Sequence, residues 1–295
     1  MMFKALNSIM AMSCCVLMLV SCQKDKVEET TTDTVQIKKP KLPVNPVGGT
    51  DPNDVAETAP ANQVAVNLNV GGNIGGFYRA LPARYDLTTK KYPLMIFIHG
   101  VGELGNGTSQ LGSVLNNGVP KLLNERRFPA QFTVNGANHS FIVFSPQFKA
   151  WPSPADVNAM VDYAVANYRV DPTRIYVSGL SMGGGITWDY GIAYSSRVAA
   201  IAPICGAAWP TQASCANIAN DKVPVWAFHN EDDGTVTANT TRMIVDFINS
   251  FNANPVARHT IWPNGGHNSW TRATDPNTKD CDGKNMYEWM LQYKN

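Results

Sequence analysis

The chain has 295 residues, and its 24 Lys plus Arg stand against 23 Asp plus Glu, a formal net charge of +1. That balance excludes nucleic acid as the main partner, because phosphate binding draws on a clustered basic surplus that this sequence lacks. Hydrophobic residues make up 44% and charged residues 16%, enough apolar mass for a sizeable core and too little charge for a chain disordered throughout.

Residues 1–22 carry one positive charge, Lys4, then a largely apolar run and the small residue Ser21 before Cys22. The run is short for a membrane span and ends at a processing-like site, as an export signal does. Leu19-Val20-Ser21-Cys22 resembles a bacterial lipobox, which implies that Cys22 is acylated and opens the mature chain; Cys14 and Cys15 leave too short an apolar run for that role. An ordinary secretory signal cut near Ser21 is the alternative. Residues 23–60 are rich in Thr, Pro, Lys, Asp and Glu and nearly free of large hydrophobes, so they read as a flexible tether. Treated as a coil they span about 35 Å. The charges after Cys22 (Lys24, Asp25, Lys26, Glu28, Glu29) resemble the export signals of surface lipoproteins in Bacteroidetes-type bacteria. Together these features imply an exported lipoprotein at the outer membrane or cell surface, touching the membrane through its lipid anchor only.

From residue 61 the pattern changes. Residues 64–70 alternate, and 76–81 can pair with them as an antiparallel edge. Continuous apolar runs at 93–99, 141–145, 174–178, 198–205 and 223–228 predict strands buried on both faces. Helices are predicted at 154–168, 182–194, 240–251 and 285–293. Alternation of strand and helix without an internal repeat predicts one α/β domain over 61–295, a mostly parallel twisted sheet with helices on both faces. Three cysteines follow Cys22; the close pair Cys205 and Cys215 is the expected disulfide, with Cys281 left over.

Gly179-Leu180-Ser181-Met182-Gly183 follows an apolar strand and opens a helix, the context of a nucleophile elbow. The turn projects the Ser181 hydroxyl, and glycines at 179 and 183 let strand and helix approach. A serine hydroxyl needs a base, and the expected chain order is Ser, acid, His. His99, His139 and His229 precede the best acid positions, and His259 lies within a strand-like alternation. His267, in a loop just after that strand, is the expected base. Glu231, Asp232 and Asp233 all stand just beyond the strand at 223–228, and spacing alone does not separate them. The oxyanion donors are expected to be the backbone N–H groups of Met182 and of Val101, in the turn after Ile98-His99-Gly100. His99 reads as a support for that turn. The acidic stretch Asp275, Asn277, Asp280 and Asp282 reads as a solvated turn; no metal or other cofactor is called for.

These residues resemble the esterase branch of the α/β-hydrolases that includes feruloyl esterases, acetylxylan esterases (carbohydrate esterase family one-like), polyhydroxybutyrate depolymerase-like proteins and "predicted peptidase" esterases. The resemblance runs from about Tyr78 to the C-terminus, through Tyr92-Pro-Leu-Met-Ile-Phe-Ile-His-Gly100, Asn117-Gly-Val-Pro-Lys121, Ser145-Pro-Gln147, Val170-Asp-Pro-Thr-Arg174, Gly179-Leu-Ser-Met-Gly-Gly184, Pro224-Val-Trp-Ala-Phe-His229, Gly266-His-Asn-Ser-Trp270 and Tyr287-Glu-Trp289. It implies the α/β-hydrolase fold, a Ser181, Asp233, His267 triad with Asp232 as the runner-up acid, and an ester substrate, small or attached to a polysaccharide. This chain has His229-Asn230 where the branch has His-Gly, and Gly102-Glu-Leu-Gly105 where Gly-Glu-Arg-Gly is commoner. Trp151 and Trp270 are candidates for lining an acyl- or sugar-facing cleft. On the same scaffold a polyester or lipid esterase, a serine peptidase, or a non-catalytic glycan-binding lipoprotein are the competing readings.

Overall fold

The structure, a computed structural model, describes residues 56–279 and 282–295. The export signal, Cys22, the tether up to residue 55 and Cys281 lie outside the described residues. The strands are β1 (Asn62–Val66), β2 (Ile74–Leu81), β3 (Tyr92–Ile98), β4 (Phe132–Val134), β5 (Ala137–His139), β6 (Ile142–Phe148), β7 (Val170–Leu180), β8 (Ala200–Ile204), β9 (Trp226–Asn230) and β10 (Arg258–Trp262). Eight of them form one sheet in the order β1-β2-β6-β3-β7-β8-β9-β10. β1, β2 and β6 pair antiparallel, and every neighbouring pair from β6 to β10 is parallel. β4 and β5 form a separate small hairpin.

Period-two alternation explains why the central strands read as unbroken apolar runs. Leu94, Ile96 and Ile98 of β3, with Ile175 and Val177 of β7, enter one core beneath α2 (Pro154–Asn167), α3 (Met182–Ala193), α4 (Gln212–Asn220) and α5 (Ala238–Asn249). Met95 and Phe97, with Tyr176, enter the other, closed by α1 (Gly118–Asn124), the β4-β5 hairpin, the short α6 (Trp270–Ala273) and α7 (Met286–Met290). Each strand is therefore apolar on both faces because a helical layer covers each. α2 starts where it does because Ser153 accepts from the Asp156 amide, Asp156 Oδ2 accepts from the Ser153 amide at 2.8 Å, and Pro154 opens the helix. The sequence missed α1, which contains Gly118 and Pro120, and α4, whose Gln-Ala-Ser-Cys-Ala-Asn-Ile-Ala-Asn presents few apolar residues. The helix expected at 285–293 is limited to Met286–Met290. Among the described residues no helix is long and apolar enough to cross a membrane.

The expected bridge between Cys205 and Cys215 is not formed. Both are buried free thiols. Cys205 directly follows β8 in the core beneath α7, whereas Cys215 on α4 belongs to the core on the other side of the sheet. With the sheet between them their Cβ vectors cannot converge on a disulfide.

Glycines seat α3 against the sheet. A Cβ on Gly183 would stand 2.2 Å from the Ile98 carbonyl oxygen and 2.6 Å from that of His99. Both clashing atoms are backbone, so relief requires the helix to move. We expect Gly183→Ala to lower Tm by ~5–10 °C, the overpacking penalty spread over a domain of this size. Gly112→Ala, where an added Cβ meets nothing within 4 Å, supplies the control; thermal melts followed by circular dichroism check both.

Candidate active site

β3, β6, β7, β8, β9 and β10 run in one direction, so their C-terminal ends share one edge of the sheet, the edge where open α/β folds gather ligand-binding residues. Ser181 sits there between β7 and α3 with φ 53° and ψ −115°, a conformation that a non-glycine residue holds only when its surroundings over-determine it. Here the Ser181 amide donates to the Ile204 carbonyl at 2.9 Å, and the Ser181 carbonyl accepts from Gly185 at 2.9 Å and Ala207 at 3.2 Å. A Cβ on Gly179 would lie 2.6 Å from the Gly183 carbonyl oxygen, which is why the residues flanking the elbow lack side chains.

The structure brings Ser181, His267 and Asp233 together. Ser181 Oγ lies 2.8 Å from His267 Nε2, and His267 Nδ1 lies 2.7 Å from Asp233 Oδ2. Asp233 Oδ1 accepts the amides of Thr235 at 2.8 Å and Val236 at 3.0 Å. Burial pulls the Asp233 pKa upward, and the hydrogen bonds from His267, Val236 and Thr235 outweigh it, holding the carboxyl below its ordinary value. The acceptor set is thus an anion held in place. Each alternative acid has another task. Asp232 accepts the Gly265 and Gly266 amides at 3.2 and 2.8 Å, and Asn230 Nδ2 donates to the Gly266 carbonyl at 2.9 Å. Together they clamp the turn that presents His267. Glu231 pairs with Arg242 on the exposed side.

The expected oxyanion donors belong to two turns that border Ser181. Val101 opens a single 3-10 turn after β3 and Met182 opens α3. First-turn N–H groups have no partner within their own helix and remain available to a ligand. An added Cβ at Gly100 would stand 3.6 Å from Ser181 Cβ, so this turn borders the serine. His99 anchors it: the Phe148 amide donates to Nε2 at 3.0 Å and Nδ1 donates to the Gly100 carbonyl at 2.7 Å. Burial lowers the His99 pKa to about 4. Glu103 closes the turn with its carboxyl buried, accepting from Asn117 Nδ2 at 2.5 Å, and burial raises its pKa. Asn117 Oδ1 in turn accepts from Trp270 Nε1 at 3.0 Å. Trp270 stands edge-on to the His267 ring, centroids 5.5 Å apart. That bond fixes the indole as a wall beside the base.

Trp151, three residues beyond β6, is 52% exposed, and Val101 is 55% exposed. Trp209, beyond β8, is 72% exposed and was not singled out from the sequence. It stands two residues after Ala207, whose amide is bonded to Ser181. A tryptophan just past the end of a predicted strand was the available signal. The sequence reading also passed over Asn230, Asn117 and His229. Cys205 was misread as half of a bridge. Its thiol lies with Asp233 and His267 donor atoms within 4.8 Å, the one such group of three or more potential metal-ligating residues among the described residues. Burial pushes the Cys205 pKa up to about 11, so it is a neutral thiol, and the Asp233 and His267 atoms are already bonded to each other; this donor set is that of a proton relay.

An elbow serine, a histidine bonded to it, a buried carboxylate and two free amides on a mostly parallel sheet define the α/β-hydrolase class. The chain belongs to the family described as Phospholipase/Carboxylesterase, which matches residues 87–275. A protein of Acanthamoeba polyphaga mimivirus named as an alpha/beta hydrolase is 30% identical over 126 residues, 38% of this chain and 46% of the relative. Poly(3-hydroxyalkanoate) depolymerase C of Paucimonas lemoignei is 29% identical over 144 residues, 45% of this chain and 33% of the relative. The match spans less than half the length of either. Among solved structures, the feruloyl esterase module of Clostridium thermocellum in complex with sinapinate superposes with a TM-score of 0.57 at 17% identity, covering 81% of this chain and 93% of that one. At that identity the likeness is one of fold.

His99 gives the site a signature in stability. Its folded pKa of about 4 lies below the ordinary 6.5, so the unfolded chain takes up a proton between those values that the folded chain refuses. Stability is therefore full above pH ~6.5 and falls as pH drops towards ~4, by on the order of 3 kcal/mol for this group. His229, also buried with a lowered pKa, acts in the same direction. We expect the fall in denaturation midpoint between pH 7 and 4.5 to shrink in His99→Gln, measured by urea unfolding.

Proposed function

We propose that the protein is a serine carboxylic-ester hydrolase that removes feruloyl or acetyl esters from plant polysaccharides, held at the outer membrane or cell surface through acylated Cys22. The observation that carries the hydrolase reading is the continuous relay from Ser181 Oγ through His267 to Asp233, at 2.8 and 2.7 Å. His267 accepts the Ser181 proton as Oγ attacks the ester carbonyl, and the Val101 and Met182 amides take the negative charge of the tetrahedral oxygen. Collapse passes the proton from His267 to the departing alcohol and leaves an acyl group on Ser181. A water deprotonated by His267 then attacks, and the second collapse frees the acid and restores the serine. Asp233 stays ionised throughout and stabilises the imidazolium.

The preference for esters carried on a larger molecule is supported by the half-buried state of Ser181 and His267 and the exposure of Val101. A groove of about 480 Å³ lined by Leu104, Gly105, Asn106, Gln110 and Lys149 begins just past the Val101 turn. Exposed Trp151 and Trp209 follow β6 and β8, the strands that flank β3 and β7 in the sheet. Indole faces suit both sugar rings and aromatic acids. The sequence similarity to a poly(3-hydroxyalkanoate) depolymerase favours a polyester as the second reading.

The first experiment is hydrolysis of p-nitrophenyl acetate, methyl ferulate, acetylated xylan and poly(3-hydroxybutyrate) by the full chain. We expect turnover of the first three, and a loss of at least ~10³-fold in kcat in Ser181→Ala and His267→Ala. Activity in either variant equal to wild type would sink the mechanism, and a preference for the polyester would replace the glycan-ester reading. The two acids separate in the same assay. Asp233→Asn should lose ~10³–10⁴-fold in kcat, whereas Asp232→Ala, which loosens the Gly265-Gly266 turn but leaves the relay, should lose ~10-fold. Trp151→Ala and Trp209→Ala should raise KM for acetylated xylan by ~10-fold or less while leaving kcat for p-nitrophenyl acetate near wild type.

A further inference from the structure

β9 ends in a second imidazole that the relay as described does not use. His229 has no solvent exposure, and both of its ring nitrogens are engaged. Nε2 lies 2.8 Å from the Val236 carbonyl oxygen and 3.1 Å from Asp233 Oδ2, and Nδ1 lies 2.8 Å from Thr241 Oγ1 on α5. A carbonyl and a carboxylate only accept, so the proton is on Nε2, and in the neutral ring Nδ1 then accepts from the Thr241 hydroxyl. Asp233 Oδ2 therefore receives the His267 N–H and a share of the His229 Nε2–H, which also donates to the nearer Val236 carbonyl, while Oδ1 receives two backbone amides.

We propose that His229 is a positioning residue of the proton relay, a neutral Nε2–H donor that fixes the Asp233 carboxylate and shares Oδ2 with His267. The inference rests on the Ser181, His267, Asp233 relay being the hydrolytic machinery. In a buried site a hydrogen bond to an anion is strong, and each donor draws charge away from the others. Without His229, the charge on Oδ2 concentrates on the His267 proton. The carboxylate also loses the contact that sets its rotation relative to β9. Among the described residues nothing else bonded to this cluster supplies a compensating charge. Cys205, from the end of β8, is a neutral thiol; α5 offers the Thr241 hydroxyl; Glu231 and Arg242 satisfy each other on the exposed side; Asp232 is bonded to the glycine turn. Burial keeps His229 itself neutral, so it acts as a dipole and not as a cation.

The test compares the full-length wild type with His229→Leu, which removes the donor, and His229→Gln, whose side-chain amide nitrogen reaches a similar point. For kcat/KM on p-nitrophenyl acetate between pH 5 and 9, His229→Leu should move the acid limb up by ~0.5–1 pH unit and lower kcat by about tenfold. His229→Gln should recover more than half of the limb shift. An acid limb that stays put in His229→Leu while activity falls evenly at every pH would mean a packing role alone and would overturn the proposal. A second readout needs no turnover. Imidazole nitrogen NMR of the wild type should show His229 neutral and protonated at Nε2 across the range, and a ring protonated at Nδ1 or at both nitrogens defeats the inference even if His229→Leu fails to fold. Should the wild type hydrolyse no ester, the functional reading fails by itself. The role of His229 is then decided by whether the low-field His267 Nδ1 proton resonance shifts in His229→Leu and returns in His229→Gln.

Discussion

A carboxylate buried without a cation is the constraint around which this site is arranged. Asp233 is 5% exposed and no lysine or arginine pairs with it among the described residues. Leaving such a charge without partners would cost several kcal/mol, enough to push its pKa into the neutral form instead. The chain meets this with donors from three places: amides from the turn at 235 and 236, the His229 ring from the end of β9, and the His267 ring from the loop after β10. Satisfying the charge and aligning the base are the same act. That coupling explains why the loop holding His267 is itself tied back to the segment at 230–232 through Asn230 and Asp232.

A parallel logic orders the other half of the site. The turn that offers the Val101 amide has no regular structure of its own beyond a few residues, so polar side chains hold it. His99 spans from the end of β3 to the end of β6, and Gln147 donates to the Glu103 carbonyl at 3.0 Å while accepting the Gly107 amide at 2.8 Å. Glu103, Asn117 and Trp270 then carry that rigidity across the cleft to the wall beside His267. Both halves are hydrogen-bonded in place by the chain's own groups, the preorganisation that electrostatic stabilisation of a transition state draws on.

The parts of the fold legible in the sequence were those governed by local pattern. Unbroken apolar runs marked the central strands because each is covered on both faces, and the elbow was legible because Gly179 and Gly183, which flank Ser181, must lack side chains for α3 to seat on Ile98 and His99. α4 was missed because its buried face reduces to residues such as Cys215 and Ile218, too sparse for a helical period. Three adjacent acids could not be separated by spacing, since only the three-dimensional turn decides which carboxylate points at His267. His229 was passed over by the rule of chain order, although strand alternation places it on the same side of β9 as Ala227 and opposite Trp226 and Phe228. The cysteines misled because proximity in sequence says nothing about a sheet interposed in space.

The relay and the exposed tryptophans leave the sheet by different strands. The relay side chains follow β7, β9 and β10, whereas Trp151 and Trp209 stand on the loops after β6 and β8. Substitutions in those loops meet solvent before they meet the buried carboxylate. On the function proposed, descendants of such a chain can drift from one ester to another by changing what stands at 151 and 209, with the proton path inherited unaltered.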